Sequence, residues 1–265
     1  MQDYPYWQKQ QPNQPLFPAM LWNKPERRDQ AGNLAIIGGN KLGFAGVAEA
    51  YSIASELGVG AIRVVLPSAL KPIIPKTIPN TLYVASTQSG GVSSEATNDM
   101  LASLAWADTS LFIGDAGRNS QTAICYETVL QKSDALVVMT RDAIDLIKND
   151  TKAIVEREQT VLVASFAQVQ KLFQAVYYPK ILVFSMQLLQ LVEALHKFTI
   201  SYPVTIVTLH QDHIIIADNG QVVTQAWDNP MRIWRGDTAT RIASYLLWSP
   251  SQKLEAIATS LTDSQ

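Results

Sequence analysis

The sequence predicts an α/β domain of three layers, α/β/α, with a mostly parallel central sheet and a late β-hairpin. Short apolar runs, typical of buried strands, alternate along the chain with amphipathic segments typical of helices. Strands that are joined through helices pair in parallel and carry helices on both faces. Near the end the rhythm changes, and Asp218-Asn219-Gly220 between two apolar runs predicts a hairpin.

The individual elements follow from the same patterns. The predicted strands are residues 34–37, 61–66, 81–85, 110–113, 135–139, 160–164, 181–184 and 204–208, followed by the hairpin strands 213–217 and 221–225. The predicted helices are residues 45–57, 95–106, 120–131, 141–148, 167–176, 186–197, 238–248 and 250–261. The last of these has Ser249 as its N-cap and Pro250 at its first position.

The chain of 265 residues is long enough for one large domain. We expect a single domain over residues 31–265, preceded by an arm over residues 1–30 that is rich in proline and glutamine. The arm has little periodicity, and we expect it to pack on the body through Trp7, Phe17 and Trp22, or alternatively on a neighbouring subunit.

Composition excludes several classes of function. The net charge of −2 gives no basic field, so nucleic acid is not an expected partner. No apolar run reaches the roughly 20 residues that span a bilayer, so no membrane association is expected. The lone cysteine, Cys125, favours a reducing, cytoplasmic location. Three histidines and one cysteine leave little material for a metal site, and none is predicted.

Candidate site residues follow the strands, because ligands of parallel sheets bind beyond the strands' carboxyl ends. The first loop, residues 38–46, contains Gly39, Asn40 and Gly46 and opens a helix whose free N–H groups suit a phosphate. Its spacing is neither G-x-G-x-x-G nor that of a P-loop. The alternative is a glycine turn that lets a strand and a helix pack closely.

Two further loops have the same character. Gly114 and Gly117 lie in a glycine turn before the helix that starts near Ser120, where Asn119 or Ser120 is alternatively a plain N-cap. Later, Gly236-Asp237 opens another helix. Asp237 is either an N-cap or a base that accepts a hydroxyl proton, while backbone N–H groups stabilise a transferring phosphoryl group.

These three segments, in this order, resemble the NAD(P)H-hydrate dehydratase family of the ribokinase-like superfamily, over residues 25–249. The family's Gly-Pro-Gly-Leu-Gly-Arg loop resembles residues 114–119, with Asp115 at the proline position. Its Asp-Ala-Asp-Ala-Leu segment resembles residues 140–144, with Thr140 at the first aspartate and Asp142 at the second. Its Gly-Thr-Gly-Asp motif resembles residues 234–237, where the final Gly-Asp is kept.

Other family motifs are eroded. The Thr-Pro-His-Pro-Gly-Glu stretch falls on residues 163–168, where the sequence retains none of its functional residues. The Lys-Gly pair before the hairpin falls on Thr208-Leu209. The Gly-Asn-Pro-Gly-Met run is only partly visible in residues 228–231, one residue short of the usual spacing to Gly-Asp.

The resemblance implies a ribokinase-like fold and ADP- or ATP-dependent removal of water from hydrated NADH or NADPH, a repair reaction of a hydro-lyase. Mg²⁺ usually accompanies phosphoryl transfer. Asp237 would be the base, Gly236 part of the anion hole, and Arg235 and Asn229 would contact the nucleotide. The hydrated dinucleotide would lie among the remaining candidates, which are Gly39, Asn40, Gly46, Gly114, Gly117 and Asp142. The family also implies a homo-oligomer.

Three functions stay open at this point. The first is a working dehydratase with a divergent pocket, in which Arg235 adds a phosphate-binding guanidinium. The second is a catalytically inactive relative that binds a nucleotide or dinucleotide, or serves as an assembly partner. The third is a kinase of a small alcohol on the same scaffold. Trp234 would crowd the phosphate site if its side chain pointed inward.

Overall fold

One ten-stranded sheet forms the centre of the protein. The computed structural model describes residues 4–74 and 78–262. The strands are β1 (Trp7–Gln10), β2 (Asn33–Gly38), β3 (Ala61–Pro67), β4 (Thr81–Val84), β5 (Thr109–Gly114), β6 (Val137–Thr140), β7 (Thr160–Ser165), β8 (Thr205–His210), β9 (His213–Asp218) and β10 (Gln221–Ala226). Their order across the sheet is β1-β10-β9-β8-β7-β6-β5-β2-β3-β4.

Helices cover both faces of this sheet. They are α1 (Ala45–Glu56), α2 (Thr97–Trp106), α3 (Ser120–Gln131), α4 (Asp142–Leu146), α5 (Thr151–Val155), α6 (Phe166–Ala175), α7 (Leu188–Ser201), α8 (Pro230–Arg235), α9 (Asp237–Trp248) and α10 (Lys253–Thr262). Buried side chains of α1, α9 and α10 pack on one face of the sheet, and those of α2, α3, α6 and α7 pack on the other. Within the described ranges, no helix is both long and apolar enough to cross a membrane.

The predicted fold class is confirmed. Strands β2 to β8 pair in parallel, and only β8-β9 and β9-β10, which include the predicted hairpin, are antiparallel. Strand β2 lies between β3 and β5, so the chain leaves β2 in one direction and later returns on its other side. This reversal opens a crevice beyond the carboxyl ends of β2 and β5.

The predicted strand 181–184 is wrong. These residues form a loop between α6 and α7, where Ile181 is 78% exposed and Phe184 is 70% exposed. An apolar run of this length fits a buried strand by pattern, but here no sheet edge receives it. Three helices also differ from the prediction. Helices α5 and α8 fall in stretches with no predicted element, and the last helix begins at Lys253 and not at Pro250.

The arm adds a strand to the sheet, which its polar sequence does not predict. Strand β1 pairs in parallel with β10, and the Trp7 indole donates a 2.9 Å hydrogen bond to Thr224. Phe17 packs against the core beside α10. Trp22 does not pack as expected, since it is 87% exposed. Residues 1–3 of the predicted arm lie outside the described residues.

Gln10 links the arm to the body. It is buried, and its amide donates 2.7 Å hydrogen bonds to the side chain of Gln225 and the carbonyl of Ala258. We predict that Gln10→Ala lowers the free energy of unfolding by about 1–3 kcal/mol, because it leaves buried partners unpaired. Urea denaturation measures this, with Gln8→Ala in the same strand as the exposed control. Equal loss in both variants would contradict the assigned role of Gln10.

Candidate functional site

The loops after β2 and β5 meet at the crevice. The Gly39 N–H donates to the carbonyl of Gly114 over 2.9 Å, and the Gly46 N–H donates to Asp115 Oδ2 over 2.8 Å. The side chain of Asn40 donates to the carbonyl of Asp115. The loop that precedes α1 is therefore fixed to the loop that precedes α3, and the two form one wall of the crevice.

Asp142, the first residue of α4, borders the crevice next to Gly114 and Gly117. Its Oδ2 accepts the Gly117 N–H over 3.0 Å. Gly114 has a positive φ of 92°, and any Cβ there would collide with Asp142 Oδ1. This oxygen and the hydroxyl of Tyr126 are both buried without a hydrogen-bond partner in the described part of the chain. Burial first, and then the charge of Asp142, raise the pKa of Tyr126, so its hydroxyl stays neutral.

Arg141 fills the centre of the crevice. Its guanidinium forms an ion pair with Asp115, and a Cβ on Gly46 would collide with Arg141 Nη1. A Cβ on Gly236 would lie 3.9 Å from Arg141 Cδ, so the start of α9 borders the same side chain. Asp115 and Arg141 have positive φ angles of 55° and 57°. Non-glycine residues in such conformations cluster at functional sites, because the strain persists only where the surroundings enforce it.

A cavity of about 330 Å³ opens beside Arg141 at the ends of β6 and β7. Trp234, which is 55% exposed, forms one side of it, and Gln168 and Lys171 of α6 form another. The residues that line it are Thr140, Arg141, Asp142, Asp145, Val163, Ser165, Ala167, Gln168, Lys171, Ile233 and Trp234. Its size lies within the usual range for small-molecule sites.

Asp237 is the first residue of α9, and arginines hold its carboxylate. Oδ1 accepts from Arg232 Nε over 2.9 Å and from Arg241 Nε over 3.3 Å, and the side chain is 15% exposed. Gly236 before it has a φ of 97°, and a Cβ there would collide with Ile113. Glycine is therefore required at this turn. The Asp237 carboxylate is held by Arg232, which precedes it in the sequence, and by Arg241, which follows it.

The predicted site residues divide into two groups. Six of them meet in the crevice, namely Gly39, Asn40, Gly46, Gly114, Gly117 and Asp142. Gly236 borders this group through Arg141. Arg235 is exposed and does not line the cavity. Asn229 is exposed at the opposite end of α8 from Gly236, and its carbonyl accepts hydrogen bonds from the Trp227 indole and the Arg232 N–H.

No protein-family model and no curated protein matches the sequence. Solved structures do match. A ribokinase-like superfamily protein from Enterococcus faecalis V583 is similar over 99% of this chain and 88% of its own, with 16% identity and a TM-score of 0.74. A hypothetical protein from Streptococcus mutans is similar over 91% of this chain and 84% of its own, with 15% identity and a TM-score of 0.70.

An ADP/ATP-dependent NAD(P)H-hydrate dehydratase from Bacillus subtilis, co-crystallised with ATP/Mg²⁺, is similar over 89% of this chain and 81% of its own. Its identity is 13% and its TM-score is 0.58. This chain has the ribokinase-like fold. At such low identities the similarity shows a shared fold, while the function depends on the residues of the site.

In this ribokinase-like chain, three departures from the dehydratase motifs contact one another. Asp115 stands at the family's proline position and Arg141 at the alanine position after its first aspartate, and the two form the ion pair. Gln168 stands at the position of the family's glutamate. Its amide donates to the Arg141 carbonyl over 2.8 Å and to Asp145 Oδ2 over 3.1 Å. The substitutions thus form one connected polar network.

Sequence reasoning missed the members of this network. Residues 163–168 retain none of the functional residues of the family motif. Ser165 and Gln168 nevertheless line the cavity and form a capping box at the start of α6. A usable signal was present in the charges, because the departures at 115 and 141 have opposite signs. Two opposite charges that replace uncharged motif residues on adjacent strand ends predict a pair.

We predict that Arg141→Gly is more stable than Arg141→Ala by about 1 kcal/mol. Both variants lose the ion pair, but only glycine relieves the strain of a backbone at φ 57° and ψ −139°. Urea denaturation of both variants measures the difference in the free energy of unfolding.

Arg27 provides the matched control for this comparison. It is exposed at φ −94° and ψ 127°, where glycine gains nothing over alanine, so Arg27→Gly should not exceed Arg27→Ala in stability. An Arg141→Ala variant as stable as Arg141→Gly would show that this backbone is not strained.

Proposed function

We propose that this chain binds a nucleotide or dinucleotide through phosphate at Arg141 and does not transfer a phosphoryl group. The observation that carries the proposal is Arg141, whose guanidinium lies in a glycine-lined crevice and which is also among the residues that line the adjacent cavity of about 330 Å³. Guanidinium binds phosphate with two parallel hydrogen bonds, which a single carboxylate partner does not prevent. A phosphate that enters the cavity competes with Asp115 for this group.

The surroundings of Arg141 favour a ligand with a planar base. Trp234 is half exposed on the side of the cavity, and Val163 and Ile233 give it apolar surface. A base can stack on the exposed indole while the phosphate pairs with the guanidinium. Lys171 adds a second cation to the lining, although Asp145 stands 3.4 Å from its Nζ.

The position of Asp237 argues against phosphoryl transfer. A general base must lie within hydrogen-bond reach of the hydroxyl proton that it accepts. Asp237 Oδ1 instead accepts from two arginines, and Asp237 does not line the cavity. The dehydratase and the kinase of a small alcohol both need this residue as their base.

Most carboxylates of the site are engaged by other groups and leave few ligands for Mg²⁺, which usually accompanies phosphoryl transfer. Asp142 Oδ1 differs, since it is buried without a hydrogen-bond partner in the described residues. In the described ranges, no three His, Cys, Asp or Glu side chains converge to hold a metal. Asp115 pairs with Arg141, Asp237 pairs with Arg232 and Arg241, and Asp142 Oδ2 accepts a backbone N–H. The proposal therefore includes no step through a metal held by the protein.

A second candidate is the ADP- or ATP-dependent dehydration of hydrated NADH or NADPH. One observation favours it, namely that Gly236 and Asp237 keep the family's Gly-Asp pair at the start of a long helix. That helix start offers N–H groups with no acceptor in their own helix, which suits an anion. The two candidates differ in turnover, and a single assay separates them.

We predict that the native protein binds NADH and ADP but does not regenerate NADH from its hydrate with either ADP or ATP. Absorbance of NADH follows the turnover, and tryptophan fluorescence follows binding through Trp234. Turnover that disappears in Asp237→Asn would contradict the proposal and establish the dehydratase. A folded protein that binds neither ligand would contradict both candidates.

We predict that Arg141→Ala weakens nucleotide binding by about 10- to 100-fold. The loss corresponds to about 1.5–3 kcal/mol for a hydrogen bond to a charged group. Calorimetric titration of the folded variant measures the affinity, with Arg27→Ala as the matched removal of an exposed arginine. Native affinity in Arg141→Ala would place the phosphate elsewhere.

We also propose that the chain assembles with copies of itself through the loop between α6 and α7. Three large side chains, Tyr177, Ile181 and Phe184, are exposed within this one loop, and exposed apolar surface is a feature of interaction sites. Light scattering is expected to give a multiple of the 29.2 kDa chain mass that falls to one chain in Phe184→Glu. Ile124→Glu, exposed on α3, is the control. A monomeric native protein would refute this assembly.

A further inference from the structure

The backbone N–H groups of the loop before α1 are already bonded within the protein. Six of them donate to carbonyl or side-chain oxygens, namely those of Gly39, Asn40, Lys41, Leu42, Gly43 and Gly46. A loop that cradles a chain of phosphates needs such groups free, because the phosphate oxygens accept from successive N–H groups. Every N–H from residue 39 to residue 43 is taken, so this loop offers no row of donors to a chain of phosphates.

The helix starts near the cavity beside Arg141 add few donors to it. None of the described residues that line this cavity belongs to α9. The start of α6 does line it, but the capping box already bonds the N–H groups of Ser165 and Gln168. The strongest anion-binding group of the cavity is therefore the guanidinium of Arg141.

The charged side chains that line the cavity balance one another. Two cations, Arg141 and Lys171, are accompanied by two carboxylates, Asp142 and Asp145, and no other Lys or Arg of the described chain lines it. Both cations already have a carboxylate partner. Lys171 Nζ lies 3.4 Å from Asp145 Oδ1, and Arg141 is paired with Asp115. One phosphate can displace Asp115, but each further phosphate adds negative charge beside two carboxylates without meeting a further cation.

We propose that the ligand of this cavity is a nucleoside monophosphate, and that nucleoside diphosphates and triphosphates bind more weakly. The inference rests on the proposed function, since it places the phosphate at Arg141 and the base on Trp234. The guanidinium holds two oxygens of the single phosphate, whereas Asp142 and Asp145 repel a longer chain of phosphates. The preference is opposite to the use of ADP or ATP that the family resemblance implies.

AMP, ADP and ATP test this selection, because they differ only in the number of phosphates. Calorimetric titration of the full chain without divalent cations is expected to give a dissociation constant for AMP roughly 10-fold tighter than that for ATP, with ADP between them. The difference should shrink as salt is raised, because salt screens the repulsion between the carboxylates and the additional phosphates.

Asp145→Asn tests the cause of the preference. The variant removes one carboxylate charge from the lining and keeps an oxygen that can accept from Gln168. It should reduce the preference for AMP over ATP by roughly threefold, since Asp145 is partly exposed and its charge is partly screened. Asp29→Asn is the matched control, because Asp29 is an exposed carboxylate paired with Arg27 outside the cavity, and it should leave the preference unchanged.

Gly43→Ala tests the alternative in which the loop before α1 holds the phosphate. A Cβ at Gly43 meets no atom within 4 Å, so the variant adds a methyl group to the loop surface without disturbing its packing. AMP binding should stay within about twofold of the native value, because the phosphate lies at Arg141.

Four results would contradict these expectations. ADP or ATP that binds as tightly as AMP would overturn the inference and leave the proposed function standing. A preference for AMP that Asp145→Asn does not reduce would also overturn it, and so would loss of AMP binding in Gly43→Ala. Binding of none of the three nucleotides to the folded chain would overturn the proposed function together with the inference.

Discussion

The ion pair of Arg141 and Asp115 determines what the carboxyl edge of this sheet can accommodate. It joins the ends of β5 and β6, borders the start of α9, and lies so close to Gly46 that a Cβ there would displace the guanidinium. The loop before α1 is attached to the same pair through the N–H of Gly46 and the side chain of Asn40. Gln168 then holds the Arg141 carbonyl from α6. The ends or preceding loops of five elements, β5, β6, α1, α6 and α9, thus meet at Arg141 and Asp115.

The same pair explains how the ribokinase-like fold is kept while its motifs change. The glycines at 39, 114 and 236 have positive φ angles or close neighbours, and these are demands of the backbone. Residues 115, 141 and 168 lie at the crevice or at the cavity beside it, where the demand is chemical, and all three differ from the dehydratase motifs that the sequence resembles. A network that replaces motif residues in this way rebuilds the site around a fixed cation, which suits binding more than transfer.

Most of the sheet was predictable from the sequence, because β2, β5 and β7 are buried on both faces and show as continuous apolar runs. The failures have physical causes. Strand β1 reads Trp-Gln-Lys-Gln, and its pairing depends on β10, which lies far along the chain. Residues 181–184 have strand-like composition, but β7 and β8 already pair with each other and leave no edge for them.

The site was predictable only where local backbone chemistry defines it. Glycine turns before helices located the crevice, since their signal is contained in a few adjacent residues. One of the two ion pairs of Asp237 was predictable from the sequence, because Arg241 follows Asp237 at helical spacing. The other was not, because Arg232 reaches Asp237 only through the turn at Gly236. The cavity itself requires α6 and α8 to approach each other, and no local pattern gives that distance.

A crystal structure of the chain with bound NADP⁺ separates phosphate binding at Arg141 from phosphate binding at the start of α9. We expect a phosphate group on the Arg141 guanidinium, displaced from Asp115, with Asp237 still bound to Arg232 and Arg241. An intact pair of Arg141 and Asp115, with the phosphates at the start of α9 and Asp237 released toward the ligand, would show that Arg141 is not the phosphate site.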